Sequence, residues 1–200
     1  MTRADSAPGK LRIIGGSLRG SKIEIPDVPG LRPTPDRVRE TLFNWLAPVI
    51  PGARCLDLFA GTGALGIEAL SRGAAAVDFV ETDAQLAQLL RANLLRLKQP
   101  GPTQSAQVQR ADAGRFLAEG SAPSEISPYD IVFLDPPFAA RLWTPIAQAL
   151  LTHERIAAGG WLYVEAPADD LPELPAEFSL HRESRAGAVR YALFRRSAKL

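Results

Sequence analysis

The chain has 200 residues, 46% of them hydrophobic, and its formal net charge at pH 7 is +1. This composition is that of one ordinary soluble globular domain, and it excludes disordered and fibrous classes of protein. The single cysteine, Cys55, excludes a disulfide framework within the chain. It also fits a reducing cytoplasm, where we expect the protein to act.

The sequence carries no signal for a membrane or a metal. Residues 1–10 are polar and lack the apolar segment of a signal peptide, and no apolar run is long enough to span a bilayer. We therefore expect no membrane association. His153 and His181 are far apart and belong to no Cys/His cluster, so we predict no metal site.

Charge is distributed unevenly along the chain. Residues 1–40 hold eight basic and five acidic side chains, and residues 181–200 hold six basic and one acidic. These net charges of +3 and +5 leave −7 for residues 41–180, since the total is +1. Basic ends around an acidic centre favour a polyanion held by the ends. Ordinary solvated charge gives the same pattern, so charge alone leaves both interpretations open.

The first elements along the chain form a small extension ahead of the main domain. We expect residues 1–10 to be a flexible tail. Residues 11–14 and 22–25 predict two short strands joined by a glycine-rich connection, so residues 11–33 are interpreted as a basic β-hairpin extension. The hairpin either lies along the phosphates of the polyanion or caps the edge of the sheet.

The main domain, residues 34–200, begins with a helix and continues as alternating strands and helices. Thr34 and Pro35 are typical of an N-cap and a first helical residue. The alternation from residue 53 onward predicts a parallel sheet with helices on both faces. The predicted strands are residues 55–58, 77–81, 107–111, 131–134 and 161–165, followed by an antiparallel pair at residues 178–182 and 189–195.

A glycine-rich turn follows the first strand of this domain. The stretch from Leu56 to Gly66 reads LDLFAGTGALG, and its glycines allow the backbone to approach a ligand closely. Glu81 lies 20 positions after Gly61, where an acid accepts the ribose hydroxyls of an adenosine-containing cofactor. NAD and S-adenosylmethionine (SAM) both fit this pattern. Asp57 favours SAM, because the methionyl part of SAM carries an ammonium group and NAD carries none.

A second motif, Asp135-Pro136-Pro137-Phe138, follows the apolar run at residues 131–134. Proline cannot continue a central strand, so the chain leaves the sheet at its carboxyl edge, where open α/β sheets bind ligands. An exocyclic amine of a flat base would donate to the Asp135 carboxylate and the Pro136 carbonyl while its ring stacks on Phe138. The alternative, a strand end with a proline-rich turn, is disfavoured by the glycine motif upstream.

The two motifs resemble the class I SAM-dependent methyltransferases that act on exocyclic amino groups, whose signature is Asp/Asn-Pro-Pro-aromatic. Further stretches resemble one subfamily, the bacterial RsmD-type 16S ribosomal RNA guanine-N2 methyltransferases. The stretches are Arg12-Ile13-Ile14-Gly15-Gly16, Arg19-Gly20, Arg32-Pro33-Thr34, residues 36–43, residues 179–183 and Ala186-Gly187-x-Val189. The resemblance implies a Rossmann-like, doubly wound, mostly parallel seven-stranded sheet with an antiparallel C-terminal hairpin and the small N-terminal β-hairpin.

The resemblance also implies a reaction and its residues. SAM would donate a methyl group to the N2 amino group of a guanine in 16S rRNA, a step of rRNA processing. The guanine comes from the resemblance alone, because Asp-Pro-Pro-Phe accepts from any amino group. The catalytic candidates are Asp135, Pro136, Pro137 and Phe138. The cofactor-binding candidates are Asp57, Phe59, Gly61, Thr62, Gly63, Gly66, Glu81, Asp112 and Ala113, of which Asp112 fits an N-cap equally well.

For the RNA partner, the resemblance implies a small ribosomal subunit or its assembly intermediate, bound by a monomer. The candidates for RNA contacts are Arg12, Arg19, Lys22, Arg32, Thr34, Arg37 and Arg39. Three other functions are weighed against this one. A DNA amino-methyltransferase usually needs a separate target-recognition segment, an NAD-dependent dehydrogenase needs a well-placed His, Lys or Tyr, and an idle RNA-binding module leaves the Asp135 motif without a role.

Overall fold

A seven-stranded sheet forms the centre of the computed structural model, which describes residues 9–26, 34–119 and 127–198. The strands are β1 (Gly9–Arg12), β2 (Lys22–Ile25), β3 (Arg54–Asp57), β4 (Ala76–Glu81), β5 (Ser105–Arg110), β6 (Tyr129–Leu134), β7 (Ile156–Pro167), β8 (Phe178–Ala186) and β9 (Val189–Arg196). The α-helices are α1 (Asp36–Leu46), α2 (Ala64–Ser71), α3 (Ala84–Arg96), α4 (Ala113–Glu119) and α5 (Trp143–Thr152).

The strand order of the sheet is β5-β4-β3-β6-β7-β9-β8, and β1 and β2 form a separate antiparallel hairpin. The strands from β5 to β7 run parallel, while β9 pairs antiparallel with both β7 and β8. The chain builds outward from β3 to β5 and then returns to β6 on the other side of β3. This reversal opens a crevice at the carboxyl ends of β3 and β6. The predicted sheet with its antiparallel C-terminal strands is confirmed.

Apolar clusters cover both faces of the sheet, because successive strand residues point to opposite sides. Cys55, Phe133 and Tyr163 lie in one cluster with residues of α1, α2 and α3. Leu56 and Leu134 lie in the other with residues of α4 and α5. Burial on both faces explains why the central strands are apolar along most of their length. In the described part of the chain, no helix has the length and apolar character needed to cross a membrane.

The observed bounds of most elements lie close to the predicted ones, and the differences have local causes. Strand β7 begins at Ile156, before the predicted residue 161, and it includes Gly159 at a φ of 73°. The pairing of β6 with β7 shifts register at the same place, so the strand passes through an irregular stretch that its sequence does not mark. Strand β1 begins at Gly9, within the predicted tail, of which residues 1–8 lie outside the described residues.

The predicted start of the first helix is wrong by one residue. Pro35 occupies the N-cap position and Asp36 begins α1. The Thr34 side chain does not cap the helix, because its hydroxyl donates instead to Oε1 of Glu165, at 2.7 Å. A long-range hydrogen bond has therefore replaced the local one that the sequence pattern favours.

The N-terminal hairpin packs onto the main domain. Ile13 and Ile23 are fully buried in the core. The Glu68 carboxylate on α2 accepts from the backbone N–H groups of Ile14 and Gly15, both at 2.8 Å. The hairpin is therefore held by helix α2, and it forms a separate sheet that pairs with no strand of the seven-stranded sheet, so the prediction that it caps the sheet edge is not confirmed.

A buried ion-pair network surrounds Glu68. Its side chain and that of Arg39 are both fully buried, with Arg39 Nη1 lying 3.4 Å from Glu68 Oε2. Arg72 Nε donates to Glu68 Oε1 at 2.8 Å. Arg39 also donates to the carbonyls of Arg12 and Thr34. Each buried charge in this network has a partner, which is the condition under which such charges are tolerated.

We expect Glu68→Ala to lower the free energy of unfolding by about 3–5 kcal/mol, because it removes the acceptor of the Ile14 and Gly15 N–H groups and the buried partner of Arg39 Nη1. Arg39 then keeps only the partly exposed Asp36 as an acidic partner, at 2.6 Å. Urea denaturation measures this loss, and hydrogen exchange at the Ile14 and Gly15 amides reports release of the hairpin. Glu40→Ala, which removes an exposed acid from α1, is the control and should change stability by less than about 0.5 kcal/mol. A Glu68→Ala protein as stable as this control would contradict the anchoring role.

Candidate active site

The Asp135 motif leaves the sheet at the carboxyl end of β6, as its prolines require. Pro137 precedes a 3-10 turn formed by Phe138–Ala140. The Phe138 ring is half-buried and lies 5.9 Å from the ring of Trp143, centroid to centroid. Among the described residues, none donates a hydrogen bond to Asp135 or to the Pro136 carbonyl. Both acceptors named in the sequence analysis are therefore free for an incoming amine.

Three carboxyl groups share one edge and one face of the sheet. Asp57 pairs in register with Phe133 of β6, and Asp135 follows two positions later, so both point to the same side. Leu134 pairs with Val164 of β7, which places Glu165 beside Asp135. Carboxyl groups from three neighbouring strands therefore come together where the strand order reverses.

The environment of these groups shifts their proton affinity. Burial raises the pKa of Asp57 to about 7, the charge of Glu81 adds to the rise, and a hydrogen bond from the Gly66 N–H, at 3.0 Å, opposes it. Burial also raises the pKa of Asp135 well above its ordinary range, with further contributions from the charges of Glu165 and Asp57. Carboxyl groups whose charged forms are disfavoured in a cleft are candidates for ligand binding.

Glu81 is held at the end of β4 by the glycine-rich loop. Its two oxygens accept from the backbone N–H groups of Gly61 and Asp83, each at 2.8 Å. Each carboxylate oxygen accepts more than one hydrogen bond, so both oxygens keep capacity for a diol. Gly61 itself has a φ of +52°, a conformation that favours glycine.

Two other glycines of the loop serve packing. A Cβ on Gly63, whose φ is +79°, would lie 2.2 Å from Leu90 Cδ1, and one on Gly66 would lie 2.1 Å from Phe79 Cε1. These glycines therefore let α2 approach α3 and β4 closely. Thr62 is buried beside them, and Phe59 is partly buried.

Asp112 and Ala113 follow β5 on the same carboxyl edge. Asp112 Oδ1 accepts from the N–H of Arg115 at 2.9 Å, so it forms the N-terminal cap that the sequence allowed. The Asp112 side chain is exposed and Ala113 is buried. A cap of this kind leaves the second carboxylate oxygen available to a ligand.

The candidates for RNA contacts divide into three groups. Arg19, Lys22 and Arg37 are exposed, and Arg12 is exposed while lying 3.5 Å from Asp36. Arg32 lies outside the described residues. Thr34 is buried, its hydroxyl engaged with Glu165, and the assignment of Arg39 to RNA is wrong. The Arg39 guanidinium is fully buried in the Glu68 network, where no phosphate can reach it.

Sequence reasoning missed Glu165 and Tyr163. Glu165 Oε1 accepts from the hydroxyls of Thr34 and Tyr163, at 2.7 and 2.8 Å, and its backbone carbonyl accepts from Trp143 Nε1 at 2.7 Å. The available signal was an acid near the carboxyl end of a predicted buried strand, the same signal that identified Glu81. Among the described residues, no group of three or more His, Cys, Asp or Glu side chains could hold a metal ion.

Comparison with known proteins gives consistent matches over nearly the whole chain. The pattern of the family described as Conserved hypothetical protein 95 matches residues 11–195. The chain is 49% identical to Ribosomal RNA small subunit methyltransferase D of Escherichia coli K12, over 97% of this chain and 94% of that protein. It is 41% identical to the protein of the same name from Haemophilus influenzae, over 94% and 95%.

Solved structures show the same architecture. The Escherichia coli protein yhhF superposes with a TM-score of 0.84 at 46% identity, covering 96% of this chain and all of that one (100%). A 16S rRNA N2 G1207 methyltransferase of Thermus thermophilus, in complex with AdoMet and guanosine, superposes with a TM-score of 0.64 over 95% of this chain and 50% of that chain. At 21% identity, this second likeness establishes the fold alone.

We expect the affinity of the protein for SAM to rise about tenfold between pH 5.5 and pH 7. Protonated Asp57, with its pKa of about 7, cannot pair with an ammonium group, and its charged fraction grows over this interval. Calorimetric titration measures the affinity. Methylthioadenosine lacks the methionyl ammonium and is the matched control, with an affinity that should not follow pH. An equal slope for both ligands, or a slope retained in Asp57→Asn, would contradict the assignment.

Proposed function

Since this chain belongs to the Conserved hypothetical protein 95 family, with relatives that are ribosomal RNA small subunit methyltransferases, we propose that it methylates guanine N2 in 16S rRNA. The protein is a SAM-dependent methyltransferase. The observation that supports an amino group as the methyl acceptor is the pair of free hydrogen-bond acceptors at Asp135 and Pro136, beside the ring of Phe138. We also propose that the reaction takes place in the cytoplasm, because the relatives are named as ribosomal RNA methyltransferases.

The residues at the sheet edge fit the cofactor. The Asp57 carboxylate is buried and has one backbone donor, so a ligand ammonium supplies the missing positive charge. Glu81 would bind the ribose hydroxyls, and Asp112 with the Ala113 backbone would contact the adenine. The loop from Phe59 to Gly63 would hold the methionyl part. Bound SAM supplies an electrophilic methyl group on a sulfonium.

The protein activates an amine that is a poor nucleophile. The lone pair of an exocyclic amine is delocalised into the base. Hydrogen bonds from its two N–H groups to the Asp135 carboxylate and the Pro136 carbonyl favour the pyramidal geometry in which the lone pair can attack. Holding the nitrogen in line with the methyl–sulfur bond removes much of the entropic barrier.

Asp135 also takes the proton that the reaction releases. As the nitrogen gains the methyl group, one of its protons becomes acidic and passes to Asp135, then to water. The raised pKa of Asp135, caused first by burial, makes this carboxylate a better proton acceptor than an ordinary aspartate.

The target base reaches this crevice only when it is unpaired or flipped out of a helix. Phe138 then stacks on it, a contact worth about 1–3 kcal/mol in recognition of single strands. We assign the flanking phosphates to the exposed cations Arg12, Arg19, Lys22 and Arg37, with Arg32 as a further candidate. The substrate we propose is a small ribosomal subunit or its precursor, bound by one copy of the chain.

Replacing Asp135 separates catalysis from cofactor binding. We expect Asp135→Ala to lower kcat by at least about 100-fold, because the general base and an anchor of the amine are lost together. Its dissociation constant for SAM should stay within about twofold of wild type. Asp169→Ala, which removes an exposed acid, is the control and should keep normal activity. Normal turnover by Asp135→Ala would contradict the mechanism.

The salt dependence of RNA binding tests whether the exposed cations of the hairpin contact RNA phosphates. We expect the double variant Arg19→Ala/Lys22→Ala to bind its RNA substrate more weakly, with the slope of log K against log salt reduced in magnitude by about 1.5, since two phosphate contacts are lost. Lys98→Ala, an exposed lysine outside the hairpin, is the control. An unchanged slope in the double variant would remove these two residues from the RNA interface.

A further inference from the structure

Glu165 lies beside Asp135 but has no part in the reaction described above. Residues 134 and 164 are register partners in neighbouring parallel strands, so the next positions, Asp135 and Glu165, are also adjacent, with backbones about 4.8 Å apart. Glu165 is only 4% exposed. Burying a carboxyl group beside a catalytic carboxyl group lowers the stability of the folded protein. This cost suggests that Glu165 has a function in binding.

The Glu165 side chain is fixed with one oxygen directed away from its protein partners. The hydroxyls of Thr34 and Tyr163 both donate to Oε1. Among the described residues, none donates to Oε2. Trp143 holds the Glu165 backbone through its indole N–H and contacts Phe138 with its ring. The same indole therefore connects Glu165 to the aromatic group on which the base stacks.

Two hydrogen bonds also favour the charged form of Glu165. Burial raises the pKa of Glu165, and the hydrogen bonds from Thr34 and Tyr163 oppose the rise. Asp135 receives no hydrogen bond from the described residues, and its pKa is raised well above the ordinary range. The two hydroxyls donate to Glu165 and so stabilise its carboxylate form, which only accepts hydrogen bonds.

We propose that Glu165 selects guanine by accepting a hydrogen bond from the ring N1–H, while Asp135 and the Pro136 carbonyl accept the two N–H groups of N2. Guanine is the one common RNA base in which an exocyclic amine neighbours a ring N–H. Adenine and cytosine present a ring nitrogen lone pair at that position, which the carboxylate repels. This inference rests on the proposed function and supplies the base specificity that the Asp-Pro-Pro-Phe motif lacks.

The test compares guanine with 2-aminopurine, which keeps the amine but has an unprotonated N1. Small ribosomal subunits are reconstituted with 16S rRNA carrying either base at the position that the wild-type protein methylates. We expect wild-type kcat/KM to be at least about tenfold higher for guanine, since one charge-assisted hydrogen bond is lost with 2-aminopurine. Equal values would overturn the inference without any variant. Absence of methylation on guanine would overturn the proposed function instead.

The variant Glu165→Gln tests whether the Glu165 side chain itself is responsible for the preference for guanine. Thr34 and Tyr163 continue to donate to an oxygen, so the amide presents its NH₂ group to the base, which suits 2-aminopurine and opposes guanine. We expect the preference for guanine to disappear or invert, with SAM affinity within about twofold of wild type. Glu177→Gln, an exposed acid, is the control and should keep the wild-type ratio. Equal slowing on both bases would overturn the inference, because a purely structural residue acts in that way.

Discussion

The crowding of three carboxyl groups that are shielded from water, those of Asp57, Asp135 and Glu165, is the constraint on which the rest of the site depends. Each comes from the carboxyl end of a different parallel strand, and the register of the sheet leaves them on one face. Burial is the main cause of the raised pKa of both Asp57 and Asp135, and repulsion adds to it, from Glu81 at Asp57 and from Glu165 and Asp57 at Asp135. A ligand that brings an ammonium group and several N–H donors relieves this repulsion, so binding energy is available at the place where the reaction occurs.

Glu68 shows how the same fold treats a carboxylate that has no ligand. It is fully buried like Asp57, yet two backbone N–H groups and two guanidinium groups surround it. That arrangement stabilises the packing of the hairpin and α1 on α2. Asp57, by contrast, has one backbone donor. In this molecule, a buried acid that the protein pairs fully has a structural role, and a buried acid that it pairs only in part is a candidate for ligand binding.

The sequence predicted those features that depend on neighbours along the chain. Apolar runs, glycine turns and prolines placed β3, β4 and β6, and with them Asp57, Glu81 and Asp135. Features that depend on distant partners were missed. Arg39 has the appearance of a surface cation because its partner Glu68 is 29 positions away. Thr34 resembles an N-cap because nothing local indicates Glu165, which lies 131 positions further on.

The measurement that tests the account most directly is transfer of labelled methyl groups from SAM to small ribosomal subunits that lack this modification. The RNA is then digested, and the labelled nucleoside is identified and mapped. We expect N2-methylguanosine at a single site in 16S rRNA. Label on the amino group of adenosine or cytidine would contradict it. So would the absence of label from a protein shown to bind SAM.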